Sequence, residues 1–159
     1  MNIYLDMNVY YRPFDDQSQP KIELESKAIE IIFKLIERWQ YKVLWSYMLE
    51  FENNNTASKD KSEDIKAVAE IVCSETVLWH EAIDRMAKEI VEKSNTGSKD
   101  ALHLACAIYG KCEYFITCDN PFIRTIKHNE QALRHIIGSI KLINPVDFIG
   151  KEFESDVNE

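Results

Sequence analysis

Asp6, Glu52, Asp100 and Asp119 lie far apart in the chain, yet each stands at the edge of an apolar stretch. Asp6 follows Ile3-Tyr4-Leu5, and Asp119 follows Tyr114-Phe115-Ile116-Thr117-Cys118. Glu52 comes shortly after Val43-Leu44-Trp45-Ser46, and Asp100 opens an apolar helical stretch. In an open parallel α/β sheet the carboxyl ends of strands and the starts of helices share one edge, where ligands bind. Carboxylates converging there repel one another unless cations neutralise them, and hard oxygen ligands suit Mg²⁺ or Mn²⁺. The chain reads first as a metal-dependent hydrolase.

The elements that would position these acids follow from periodicity and turn chemistry. Ile3 to Leu5 is a short strand, and Tyr10 to Pro20, with Pro13, Asp15-Asp16 and Pro20, is expected as a loop. Leu24, Ala28, Ile31, Ile32, Leu35, Ile36 and Trp39 recur at helical spacing. Val43 to Trp45 is a second strand leading into a helical turn at Tyr47-Met48-Leu49, and Asn53 to Thr56 breaks it. Ile65, Val68, Ala69 and Val72 mark a helix preceded by Ser62, with Glu63 and Asp64 in its first turn. A third strand is expected at Thr76 to Trp79, then an amphipathic helix through Ala82, Ile83, Met86, Ala87, Ile90 and Val91.

Ser98 is the expected N-cap of a helix from Lys99 to about Tyr109. Tyr114 to Thr117 reads as a strand, Phe122 to His135 as largely helical, and Lys141 to Ile143 as the last strand. Strands alternating with helices predict parallel βαβ units: an α/β three-layer sandwich around a parallel sheet of four or five strands. The first strand should be central, because its end must present Asp6 to residues from both sides. Residues 1–149 are expected as one domain, followed by an acidic, flexible tail over 150–159 that includes Glu152, Glu154, Asp156 and Glu159.

The 159 residues are enough for a proper core, and 45% hydrophobic with 29% charged residues is ordinary for a globular chain. No apolar run approaches the ~18 residues that span a membrane, and no signal peptide is visible, so a cytoplasmic location is expected. Cys73, Cys106, Cys112 and Cys118 include no CxxC pair and read as free thiols. His103 with the last three of them matches no usual zinc spacing. The net charge of −8 argues against broad adhesion to nucleic acid or anionic lipid. Local basic groups, Lys59 and Lys61 with Lys66, and Arg124 with Lys127, read as solvated surface.

IYLDMNVYYRPFDD and KDALHLACAIYGKCEYFITCDNPF together resemble the PIN-domain family, the fold of VapC-type toxin ribonucleases. The opening is similar to that family's strand ending in Asp-x-Asn, here Asp6 and Asn8. Lys99 to Ala107 resembles its Asp-Ala-Leu-x-x-Ala helix start, and Thr117-Cys118-Asp119 its Thr-x-Asp strand end. Ser46 and Glu52 keep the family's Ser-to-Glu spacing. The resemblance spans roughly residues 1 to 149. It implies divalent-metal-dependent cleavage of a phosphodiester, most often in RNA, with an antitoxin protein as partner and room for a homodimer.

On that resemblance Asp6, Asp100, Asp119 and Glu52 form the metal shell and the catalytic set. Glu52 either ligates directly or orients the attacking water, and Glu50 competes for its role. Asn8, Ser46 and Thr117 are candidates for supporting or substrate contacts, although helix capping is the better single reading of Ser46. Asn120 stands where some members place a further acid, which leaves one metal or two open.

Two other readings compete. One is a PIN fold that binds RNA or protein without cutting, which the presence of all four acids opposes. The other is a dehalogenase-type phosphatase, which wants a second Asp two residues after Asp6, where this chain has Asn8. A receiver-like phosphoacceptor would need a lysine after the last strand, and Asn144-Pro145 supplies none.

Overall fold

The structure, a computed structural model, describes residues 1–38 and 41–157, with side chains described through residue 154. Trp39, expected on a helix, lies outside the described residues. The elements are β1 (Asn2–Leu5), α1 (Met7–Tyr11), a 3₁₀ turn (Arg12–Phe14), α2 (Pro20–Glu37), β2 (Lys42–Ser46), α3 (Tyr47–Asn54) and α4 (Lys59–Val72). They continue as β3 (Cys73–Val77), α5 (Glu81–Ser94), α6 (Ser98–Tyr109), β4 (Tyr114–Ile116), α7 (Asn120–His128), α8 (Glu130–Ile137), β5 (Lys141–Ile143) and α9 (Pro145–Val157).

The strands form one parallel sheet in the order β3-β2-β1-β4-β5, with β1 at its centre as its sequence position requires. Ile3, Tyr4 and Leu5 are wholly buried, the continuous apolar run of a strand covered on both faces. Handedness then assigns the layers. The chain steps from β1 to β2 to β3 in one direction and returns past β1 to β4 and β5, and right-handed crossovers put the two journeys on opposite faces. Accordingly α2 packs against α4 and α9, while α5 packs against α6 and α8. Direction reverses between β1 and β4, the kind of switch point where the carboxyl ends of strands open a crevice. Asp6 and Asp119 follow the two strands that flank it.

Several local expectations shift. Part of the expected Tyr10–Pro20 loop is helical, because Asp6 caps α1 immediately after β1: its Oδ1 accepts from Met7 N at 2.8 Å. Ser58, not Ser62, caps α4, accepting from Lys61 N, and Ser62 instead donates to the Asn53 carbonyl at 2.8 Å. The third strand lies earlier, at Cys73–Val77, with Leu78 and Trp79 exposed beyond it. Gly97 occupies the N-cap of α6, and Ser98 is its first helical residue. A break at Asn129 divides the expected Phe122–His135 helix into α7 and α8.

The expected tail also begins differently. Residues 150–157 continue α9, which packs on α2; its Phe148 and Ile149 are buried, and Tyr41 Oη hydrogen-bonds the Glu152 carboxylate.

One close approach locks the return crossover to the sheet. A Cβ on Gly110, at the end of α6, would fall 2.5 Å from Leu44 Cδ2 and 3.0 Å from Val77 Cγ2. Because Leu44 is buried, Gly110→Ala is expected to cost about 1–3 kcal/mol, the usual range for overpacking. Urea denaturation checks this, with a lowered midpoint at an unchanged slope.

Candidate active site

Thr117, immediately after β4, organises the floor of the crevice. Its hydroxyl donates to Asp6 Oδ2 at 2.8 Å and accepts from Asn8 Nδ2 at 2.9 Å and from Asp119 N at 3.1 Å. Asn8 also donates to Asp6 Oδ2 at 3.2 Å, while its Oδ1 accepts from Cys118 N at 2.9 Å. The residue two places after Asp6 therefore ties the end of β1 to the end of β4. Asp119 caps α7, accepting from Phe122 N at 3.1 Å. Asp100 enters from the first turn of α6.

The electrostatics place these acids together. Burial raises the Asp6 carboxyl above its ordinary range, although His103, the Thr117 hydroxyl and Met7 N pull against it. Asp100 is pushed up to about 6, first by burial and then by the charges of Asp6 and Asp119. Glu52 adds smaller repulsion to both.

Glu52 itself behaves differently. Burial opposes its charge, but His103 and Lys99 outweigh that and hold its carboxyl below the ordinary range. Lys99 Nζ is 2.9 Å from Oε1, and His103 Nε2 is 3.3 Å from Oε2. Two residues earlier, Glu50 faces elsewhere: it accepts from Trp45 Nε1 at 2.9 Å and lies 3.6 Å from Lys66 Nζ. The divergence follows from the helical turn, since residues two apart point about 200° apart. Ser46 caps α3 through Leu49 N at 3.1 Å and meets Tyr4 Oη at 2.7 Å, so its hydroxyl is committed to the fold. Tyr4 in turn holds His103 Nδ1 at 2.7 Å, which fixes the ring that flanks Glu52.

Carboxylates, with the oxygens of Thr117 and Asn8 beside them, are the donor set of a hard divalent cation. Among the described residues, no three His, Cys, Asp or Glu side chains already stand close enough together to chelate an ion. Each of Asp6, Glu52 and Asp119 is held by protein donors instead. The thiols are unsuited to the role: burial pushes Cys106, Cys112 and Cys118 up to about 12 and Cys73 up to about 11.

A second polar cluster behind the acids was not anticipated. Glu25 of α2 is 2% exposed, with Oε1 3.4 Å from Arg12 Nε and Oε2 accepting from Asn144 Nδ2 at 2.7 Å. Asn144 Nδ2 also reaches Asn120 Oδ1 at 3.1 Å, next to Asp119. A signal existed in the sequence. Glu25 is in helical phase with the buried residues Ala28, Ile29, Ile32 and Ile36, so it is an acid on an apolar stripe.

Residues 3–127 match the PIN domain family. Among curated proteins, none matches the chain. A chain in the crystal structure of VapBC2 from Rickettsia felis bound to a DNA fragment from their promoter shares the fold. The two superpose with a TM-score of 0.56 at 14% identity, covering 91% of this chain and 98% of that one. No helix among the described residues is long and apolar enough to cross a membrane.

Asp100 yields a test of the electrostatics. A carboxyl whose pKa is raised on folding keeps more protons in the folded than in the unfolded state, so stability falls as pH rises from about 4 to about 6 and stays lower above. In chelator-treated protein, Asp100→Asn should remove part of that slope. It should gain about 1 kcal/mol over wild type at pH 7, allowing for solvent screening of a partly exposed group, and nothing near pH 4. Denaturant titrations at the two pH values measure the difference.

Proposed function

Since the chain belongs to the PIN domain family, we propose that it is a divalent-metal-dependent ribonuclease that hydrolyses phosphodiester bonds in RNA, acting in the cytoplasm as the toxin of a toxin–antitoxin pair. The observation that supports the reading is that Asp6 and Asp119 follow the two strands flanking the crevice between β1 and β4, and that both add to the burial that raises the Asp100 carboxyl to about 6. Neighbouring acids whose charges oppose one another point to a ligand that neutralises them. The partner protein is supported by the shared fold with a chain from a VapBC2 assembly.

In this reading Asp6, Asp100 and Asp119 hold Mg²⁺ or Mn²⁺, and Glu52 completes the set. Bound there, the ion shields the phosphate and makes an attacking water more acidic. The surrounding residues set the stage. Thr117 and Asn8 fix the Asp6 carboxylate, and Phe122 N fixes one oxygen of Asp119. Glu52 is paired with Lys99, so its joining the set would require that ion pair to open, which would leave the Lys99 ammonium available to a phosphate. Tyr4 holds the imidazole of His103 beside Glu52.

Asp6→Asn keeps an oxygen for Met7 N and relieves a buried charge, which offsets setting its amide against the Asn8 donor, so it should still fold. Its cleavage of single-stranded RNA in Mg²⁺ or Mn²⁺ should drop by about 100-fold or more, the scale of losing one preorganised electrostatic group. Chelation should stop the wild type. Equal cleavage by wild type and Asp6→Asn would sink the assignment.

The division of labour on α3 has its own check. In calorimetric titration with Mn²⁺, Glu52→Gln should bind roughly 10-fold or more weakly, within the range seen when a metal site loses support. Glu50→Gln, which breaks contacts to Trp45 and Lys66 only, should bind like wild type.

A further inference from the structure

Next to the acids, an open groove of about 560 Å³ crosses the carboxyl end of β5 between α2, α7 and the start of α9. Lys21, Arg124 and Lys127 line it, all exposed, and none has a carboxylate partner among the described residues. Several cations elsewhere on α2 and α5 are paired within their own helix, as in Lys27–Glu23, Lys34–Glu30 and Arg85–Glu81. Two acids also line the groove. Glu25 is buried and engaged by Arg12 and Asn144, which leaves Asp147 at the rim against three free cations. In a chain of net charge −8, that is a local inversion of sign.

The groove reaches the residue next to Asp119. Asn120, part of its lining, directly follows Asp119 and begins α7. On the far side Lys127 also lines a second groove of about 520 Å³, which adds Lys141 and Lys151 along β5. The two grooves adjoin at Lys127 and form a track that carries Lys21, Arg124, Lys127, Lys141 and Lys151 against the exposed acids Asp147 and Glu130. Lys21 comes from a different part of the chain from Arg124 and Lys127, and only the fold makes the three a group. The polar groups beneath are already spent: the Asn144 amide donates to Glu25 and Asn120, and its oxygen accepts from Val146 N at 2.9 Å. The track offers charge with little left to read bases, which suits a phosphate backbone.

We propose that this groove seats the backbone of single-stranded RNA flanking the scissile bond, with Lys21, Arg124 and Lys127 each meeting a phosphate. The inference rests on the ribonuclease reading above, and its test separates the two. The probe is a fluorescein-labelled, U-rich 20-nucleotide RNA, with anisotropy measured in the Asp6→Asn background so that the strand stays intact. Lys21→Gln/Arg124→Gln/Lys127→Gln should weaken binding at least 10-fold at 0.1 M salt. It should also make the slope of log K against log salt shallower by about 2, as three lost phosphate contacts on a single strand require.

A control with the same loss of charge, Lys34→Gln/Arg38→Gln/Lys42→Gln, alters exposed cations at the opposite end of the sheet and should stay within 2-fold of the parent. Unchanged affinity and slope in the groove variant overturn the proposal, as does an equal loss in the control. If instead the groove variant keeps its RNA affinity but no longer binds polyglutamate, the track serves an acidic protein and the proposal is wrong. Groove-dependent binding by a wild type that never cuts RNA would leave the proposal standing and remove the nuclease reading.

Discussion

A carboxylate buried at the end of the central strand is costly unless donors meet it, and the way Asp6 is met organises this molecule. One oxygen receives Met7 N, which starts α1 without a linking residue. The other receives the Thr117 hydroxyl and the Asn8 amide, both of which also grip the end of β4. The sheet must therefore bring β4 directly beside β1, so the chain has to visit β2 and β3 first and come back. The reversal of direction, the crevice it opens and the position of Asp119 all follow from satisfying that one buried charge.

The remaining acids are held apart by their own donors. Asp119 is anchored by the start of α7, and Glu52 is drawn toward Lys99 and His103 on α6. Asp100 is opposed by its acidic neighbours, with His103 pulling the other way, and burial with that repulsion pushes its carboxyl up to about 6. The site is thus a balance in which protein donors stand in for cationic charge.

Much of this was legible in the residues. A wholly apolar strand followed at once by Asp-x-Asn fixes both the centre of the sheet and the acid at its end, and Thr117-Cys118-Asp119 does the same for β4. That Glu50 and Glu52 point apart was readable from the helical turn; the choice of Glu52 leaned on its spacing from Ser46 and on Leu49 and Phe51 as apolar neighbours, and Phe51 is exposed. What sequence could not supply were partners from distant segments. Nothing local to Lys99 indicates that it meets Glu52, and nothing near Lys21 points to Arg124. Boundaries slipped where a capping choice decided them, as at Ser58 over Ser62 and at Asp6 itself. Glu25 was the readable feature that went unread, an acid in phase with an apolar stripe.

Asn144 ties a segment outside the family match to two segments within it. It lies beyond residue 127, yet it caps α9, holds the buried carboxylate of α2 and reaches the residue after Asp119. The last described helix is therefore no appendage: its first turn is latched to the same polar cluster that backs the crevice. Fraying of α9 from that end would unlatch α2 and the β4–α7 junction together, so the three belong to one cooperative unit of local unfolding. A change confined to the C-terminal helix can then tune the stiffness of the crevice without altering any of its acids.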